Sequence, residues 1–166
     1  MSTFVAVGTG RAPFMRLLAA VDELAKRSAL PAPVKVQCGH TRFSSRHCTV
    51  VPFPSMDEFE RAVSDAELVV CQAGGGTVLL ANLAGKVPVV VPRLRRHGEV
   101  VDDHQVANAR ALEEGGNAVA VYDIADLEAA TKRALAAQRA AIAKRQPSAL
   151  LAAVAGDLAL WDRQPD

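Results

Sequence analysis

The densest chemistry in this chain lies in Glu67-Leu-Val-Val-Cys-Gln-Ala-Gly-Gly-Gly-Thr77. It is an apolar run that ends in three glycines and a threonine before Val78-Leu-Leu-Ala81 resumes a helical pattern. A strand that passes through glycines into a helix leaves the first N–H groups of that helix unpaired, where the helix dipole concentrates about half a positive charge. Glycines turn the chain sharply and let a bulky anion approach the main chain closely. The anion suited to this geometry is a phosphate or diphosphate. A glycine triplet after a strand is as often only a tight loop. This one matches neither the dinucleotide fingerprint GxGxxG nor the Walker loop, since no Gly-Lys-Ser/Thr follows.

Other reactive side chains are less organised. Arg93-Leu-Arg-Arg-His-Gly-Glu-Val-Val-Asp-Asp-His-Gln105 is long, polar and charged, and precedes a helix. It reads equally as a solvated loop or as a segment whose side chains hydrogen-bond sugar hydroxyls or phosphates. Asp102, Asp103 and His104 form an acidic and imidazole cluster without a matching ligand set elsewhere, so no metal site is expected. His40 and His47 flank a basic turn with Arg42 and Arg46 and read as exposed turn residues. No Ser-His-Asp arrangement is legible, and Thr9 and Thr77 read as hydrogen-bond donors, not nucleophiles.

The elements that must carry these residues alternate strictly. Phe4–Val7, Val34–Gln37, Thr49–Val51, Leu68–Cys71, Val87–Val91 and Ala118–Val121 read as strands. Phe14, Leu17, Leu18, Val21, Leu24 and Ala25 recur at helical spacing after the turn Gly8-Thr9-Gly10. Ser55 and Glu58 predict a capping box for a helix whose apolar face is Met56, Phe59 and Val63. The glycine turn opens a helix to about Gly85. Asp103–Glu113 predicts another with Val106, Ala109, Ala111 and Leu112 inward. An alanine-rich helix follows Asp123, and Pro147 precedes a last one with Leu150, Leu151, Val154, Leu158 and Trp161 at helical spacing. Strands that are apolar throughout, joined by helices, predict an α/β fold with a Rossmann-like parallel sheet and helices on both faces. In such sheets ligands bind at the carboxyl ends of the strands, where Gly8–Gly10, Phe53–Met56, Gly74–Thr77 and Arg93–Gln105 all fall.

Composition narrows the classes further. The chain has 166 residues, enough for one domain with a substantial core. Its 19 Lys and Arg nearly balance 18 Asp and Glu, which gives no sign of a nucleic-acid partner. Three cysteines, Cys38, Cys48 and Cys71, without CxxC spacing argue against a disulfide framework or zinc site and point to a reducing compartment. Cys71 reads as a small buried hydrophobe. No basic stretch followed by an apolar core precedes Phe4, and the run Val87–Val91 is too short to cross a bilayer, so a cytoplasmic location is expected.

Several segments together resemble glycosyltransferase family 28. Val7-Gly-Thr-Gly-Arg-Ala-Pro-Phe-Met-Arg16 with Leu17–Leu24 is similar to the opening of its short bacterial exopolysaccharide-synthesis subunits. Val36-Gln-Cys-Gly39, Phe53-Pro-Ser-Met56, Leu68–Thr77, Pro88-Val-Val-Val-Pro-Arg93 and Gly98-Glu-Val-Val-Asp-Asp-His-Gln105 follow in register. The small subunit of the eukaryotic N-glycan enzyme is similar, as more distantly is the C-terminal domain of MurG. The resemblance implies that residues 1–166 form the nucleotide-sugar-binding, C-terminal-type half of a GT-B enzyme. It implies an inverting sugar transfer, from a nucleotide sugar, generally a UDP-sugar, to a lipid-linked acceptor, without cofactor or essential metal. The partner would be a membrane-anchored acceptor-binding subunit that carries the general base and holds this chain at the inner face of the membrane. The site residues implied are Gly8, Thr9, Gln72, Gly74, Gly75, Gly76 and Thr77 around the diphosphate. Phe53, Pro54 and Met56 would border the base, and Arg93, His104 and Gln105 would reach toward the sugar.

Three positions depart from the family pattern. Gln72 stands where a histidine is usual, Gly10 where another histidine is common, and Leu80 where an acidic residue binds the ribose hydroxyls. These changes keep a second class in view, a non-catalytic regulatory or scaffolding subunit with a degenerate nucleotide site. A third reading, a stand-alone sugar-nucleotide epimerase, needs two such domains in one chain.

Overall fold

Segments such as Val89–Val91 leave no polar face and can be satisfied only between two layers. The computed structural model describes residues 1–144, and the proposed helix from Pro147 to Trp161 lies outside them. Six parallel strands form one sheet: β1 (Thr3–Ala6), β2 (Val34–Gln37), β3 (Thr49–Val51), β4 (Leu68–Gln72), β5 (Val89–Val91) and β6 (Val119–Ala120). Their spatial order is β3-β2-β1-β4-β5-β6. The helices are α1 (Met15–Lys26), α2 (Met56–Asp65), α3 (Gly75–Leu83), α4 (His104–Glu114) and α5 (Leu127–Lys144).

Side chains alternate across the sheet into two cores. Val5, Val36, Val70, Val89 and Val91 pack against Leu17, Leu18 and Val21 of α1 and Leu127, Ala130 and Ala134 of α5. Phe4, Ala6, Val69, Cys71 and Val90 pack against Val63 of α2, Val78 and Ala81 of α3, and Ala109 of α4. The expected doubly covered Rossmann-like sheet is therefore the fold. Cys71 is fully buried, and that burial pushes its thiol up to about 12.

The expected strand Val87–Val91 begins only at Val89, because Pro88 has no N–H to give to the ladder. In α4, Ala109 is buried as expected, but Ala111 is exposed and Gln105 takes the inward place. Gln105 and Ala109 are one turn apart and share a face, whereas Ala111 is rotated about 200° from Ala109. The capping box of α2 forms, with the Ser55 hydroxyl accepting from Glu58 N–H and the Glu58 carboxylate accepting from Ser55 N–H. Val63 is buried, but Met56 is 67% exposed, correcting its place on the core face. At the first position of α2 it sits beyond the strand ends and not over the sheet.

Connections from β1 run to one side of the sheet and those from β4 to the other. The strand order thus reverses between them and opens a crevice at their carboxyl ends. Ala6 pairs with Gln37 on one side and Cys71 on the other, so the loops after all three strands meet there.

Candidate functional site

After Ala6 the chain reaches Gly8, whose φ of +78° no β-carbon residue adopts readily. Gly8 N–H donates to Gln37 Oε1 at 3.0 Å, and Gln37 Nε2 donates back to Gly8 O at 3.0 Å and to Pro52 O at 3.1 Å. One side-chain amide thus ties the β1 loop to the segment entering Phe53. A β-carbon on Gly39 (φ +53°) would lie 2.5 Å from Gly8 O, and one on Gly8 would strike the Gln72 amide. Close approach to a main-chain carbonyl requires glycine at position 39, and the positive φ favours it at both positions.

Across the crevice α3 begins at the glycines. Gly74 is its N-cap and supplies no capping side chain. The N–H groups of Gly75, Gly76 and Thr77 therefore have no intrahelical partner. A β-carbon on Gly75 or Gly76 would meet nothing within 4 Å, so both open onto free space. That space is a cleft of about 360 Å³. It is lined by Gly8, Thr9, Gln72 and the glycines through Thr77, together with the apolar Phe53, Pro54, Met56, Phe59 and Leu80. Among the described residues that line it, none is ionisable. An anion here would be held by main-chain N–H groups, hydroxyls, one carboxamide and the α3 dipole.

Behind the cleft lies a buried ionic cluster. Arg93, 3% exposed, donates from Nε to Gln72 Oε1 at 2.6 Å and from Nη2 to Val7 O at 2.8 Å. Its Nη1 donates to Ala12 O at 2.8 Å and to Glu99 O at 3.1 Å. The guanidinium also lies 4.7 Å from the centre of the Phe14 ring. Burial pulls Arg93 below the ordinary arginine range and the Glu99 charge opposes that, but an arginine in this setting stays protonated. Glu99 in turn accepts from Arg16 Nε and Nη2 at 3.0 and 2.9 Å and from Leu94 N–H at 2.9 Å. Gln105 Oε1 accepts from Arg93 N–H at 2.9 Å, and Gln105 Nε2 points to Gln72 Oε1 at 3.5 Å.

The cluster fixes the orientation of Gln72. Its carbonyl oxygen is taken by Arg93 and Gln105, so its Nε2 faces Gly8, Gly74 and the cleft. A neutral amide here keeps its donor at every pH, unlike the histidine that the resemblance leads one to expect.

The structure therefore gathers Gly8, Thr9, Phe53, Pro54, Met56, Gln72, Gly74, Gly75, Gly76 and Thr77 around one cleft. It does not bring Arg93, His104 or Gln105 to that lining. Arg93 and Gln105 are buried beneath it as positioning groups. His104 is exposed at the start of α4, its ring against Asp102, whose carboxyl is held below the usual range by the His104 N–H. Within the segment 93–105, Arg93, Leu94, Glu99 and Gln105 turn inward, while Arg95–Gly98 and Val101–His104 are exposed as a solvated loop would be. Among the described residues no three His, Cys, Asp or Glu side chains gather as a metal-binding group. Gln37 and Phe59 also line the cleft. The available signal for Gln37 was a polar residue at the carboxyl end of β2.

Residues 2–154 match the family model described as the glycosyltransferase family 28 C-terminal domain. The chain belongs to this family. It is similar to the UDP-N-acetylglucosamine--N-acetylmuramyl-(pentapeptide) pyrophosphoryl-undecaprenol N-acetylglucosamine transferase of Ralstonia nicotianae, 38% identical over 107 residues, 60% of this chain and 28% of that protein. The enzyme of the same name from Acinetobacter baylyi is 35% identical over 102 residues, 56% of this chain and 27% of that protein. The matched part is thus little more than a quarter of these relatives. Among solved structures, Acinetobacter baumannii MurG superimposes with a TM-score of 0.53 at 26% identity, covering 81% of this chain and 44% of that one. The kitacinnamycin glycosyltransferase gives 0.63 at 18% identity, over 83% and 36%, a likeness of fold. This family 28 domain has the α/β fold of GT-B glycosyltransferases. Among its described residues no helix is long and apolar enough to cross a membrane.

Proposed function

We propose that this chain is the donor-binding half of a two-component inverting glycosyltransferase, taking a nucleotide sugar, a UDP-sugar in the first instance. The observation that carries this reading is the uncapped glycine N-terminus of α3 opening into the cleft at the reversal of strand order. The diphosphate lies against the N–H groups of Gly75, Gly76 and Thr77, with the Gln72 amide and the Thr9 hydroxyl at its flanks. The base lies toward Phe53, Pro54 and Met56, where Phe53 is 52% exposed and edge-on to His40 at 4.9 Å.

In the reaction an acceptor hydroxyl attacks the anomeric carbon as the bond to the diphosphate oxygen breaks. Negative charge grows on the leaving diphosphate, and preorganised N–H donors stabilise it without reorganising. The hydroxyl proton passes to a base that the neutral cleft does not supply, which we assign to a membrane-anchored, acceptor-binding subunit. A lipid-linked acceptor and polysaccharide synthesis at the inner membrane face complete the reading. Leu80 in the cleft wall favours a second one, a regulatory subunit with a weakened nucleotide site.

Calorimetric titration of the full chain with UDP, GDP and UMP, without metal, separates them. The donor reading expects UDP to bind more tightly than UMP, and Gly75→Val to weaken UDP at least tenfold while leaving the thermal midpoint unchanged. The new side chain projects only into the cleft. Equal binding of UDP by wild type and Gly75→Val would remove the glycine turn from the site.

A further inference from the structure

The walls of the cleft have a property that bears on which nucleotides it takes. A site that recognises a sugar hydroxyl needs an acceptor for it, and a site built around such a bond rejects the analogue lacking the hydroxyl by about 10⁴–10⁵. Among the described residues, the two carboxamide oxygens that line this cleft are already engaged. Gln37 Oε1 accepts from Gly8 N–H at 3.0 Å, and Gln72 Oε1 accepts from Arg93 Nε at 2.6 Å. The hydroxyls of Thr9 and Thr77 stand at the glycine end, where the diphosphate belongs. Glu58, on the neighbouring helix, does not line this cleft, and its Oε2 accepts from Ser55 N–H at 2.8 Å and from Ser55 Oγ at 2.9 Å.

Position 80 is decisive. A diphosphate on the N–H groups of Gly76 and Thr77 places the attached pentose about one helical turn along α3, on the face that residue 80 shares with them. Leu80 lines the cleft there and packs partly on the core beside Phe59. The pentose therefore meets the methyl groups of Leu80 and the Phe59 ring, neither of which accepts a hydrogen bond. We propose that this cleft takes 2′-deoxyribonucleoside diphosphates, and donors built on them, as readily as their ribo counterparts. This rests on the donor reading above. Selectivity then lies in the diphosphate and the base, and none of it in the 2′-hydroxyl.

The test is calorimetric titration of the full chain with UDP, dUDP and dTDP, repeated on Leu80→Glu. For the wild type, UDP and dUDP should agree within about threefold, with dTDP in the same range. In Leu80→Glu the restored acceptor should favour UDP over dUDP by about tenfold or more, as expected for a hydrogen bond to a charged group. A wild-type preference for UDP over dUDP of tenfold or more overturns the inference and leaves the donor reading standing. Absence of binding by all three nucleotides at millimolar concentration overturns the donor reading, and the inference with it. An unchanged ratio in a folded Leu80→Glu variant overturns the assignment of position 80. If that variant does not fold, the wild-type ratio still decides.

Discussion

Replacing Arg93 with methionine removes four donors at once while keeping much of the side-chain volume. The acceptors left behind are Gln72 Oε1, Val7 O, Ala12 O and Glu99 O, formerly at 2.6, 2.8, 2.8 and 3.1 Å. Taken separately, hydrogen bonds to a charged group at about 1.5–3 kcal/mol each would sum to more than most domains possess. They are not separable, because the four acceptors share one guanidinium and some can be rehydrated through the adjoining cleft. Removing one partner of a buried ionic group costs about 3–5 kcal/mol, and that is the expected loss. For a chain of this length it lowers the thermal midpoint by roughly 6–20 °C. Arg93→Lys should fall between, since an ammonium keeps the charge but cannot reach four acceptors in a planar fork. Urea denaturation followed by far-UV circular dichroism measures both. A folded Arg93→Met variant that loses less than about 1 kcal/mol would show that these acceptors do not depend on Arg93. Arg93 would then not be what positions Gln72, and a direct contact of Arg93 with ligand would become the better account.

Three further substitutions probe the cap of α2 and the buried thiol. Ser55→Ala removes the N-cap of α2 and should cost about 1 kcal/mol in thermal or urea unfolding. Glu58 is held below the ordinary carboxylate range by its hydrogen bonds from Ser55, so its contribution is present at neutral pH and is lost as pH falls through the folded value. The midpoint difference between wild type and Glu58→Gln should accordingly narrow as pH falls below the ordinary glutamate range, and a constant difference would contradict the box. Cys71 has the opposite sign. Its thiol is raised from 9.0 to about 12, so its contribution is complete below pH 9 and declines as pH rises toward the folded value. Wild type should lose stability relative to Cys71→Ala across that alkaline range, and native Cys71 should resist iodoacetamide at about pH 8, when an ordinary thiol is already partly ionised.

The parallel sheet was legible because buried strands such as Leu68–Gln72 have no polar alternation to disguise them, and the glycine turn because few backbones need three glycines in a row. The cleft followed from placing these at strand ends. What the sequence hid was the destination of polar side chains. Arg93 and Gln105 read the same whether they face a ligand or fold beneath it, since both outcomes satisfy their hydrogen bonds. Only the third dimension brings Gln72 within 2.6 Å of Arg93. Met56 misled for the complementary reason: periodicity assigns an apolar residue to a helix face but not to the part of that face which overhangs the sheet. In α4 the alanines barely distinguish one face from another, and a buried hydrogen bond from Arg93 N–H to Gln105 chose the inward residue instead.

The packing of Gly8 between its neighbours has a consequence for how this sequence can change over time. Gln37 grips the Gly8 peptide from one side, Gly39 abuts its carbonyl, and the Gln72 amide occupies the place a β-carbon at Gly8 would need. Lengthening any one of these side chains displaces at least one of the others. Four residues from three separate stretches of the chain thus behave as a single heritable character: drift at one must be answered at another, and their substitution effects will not add.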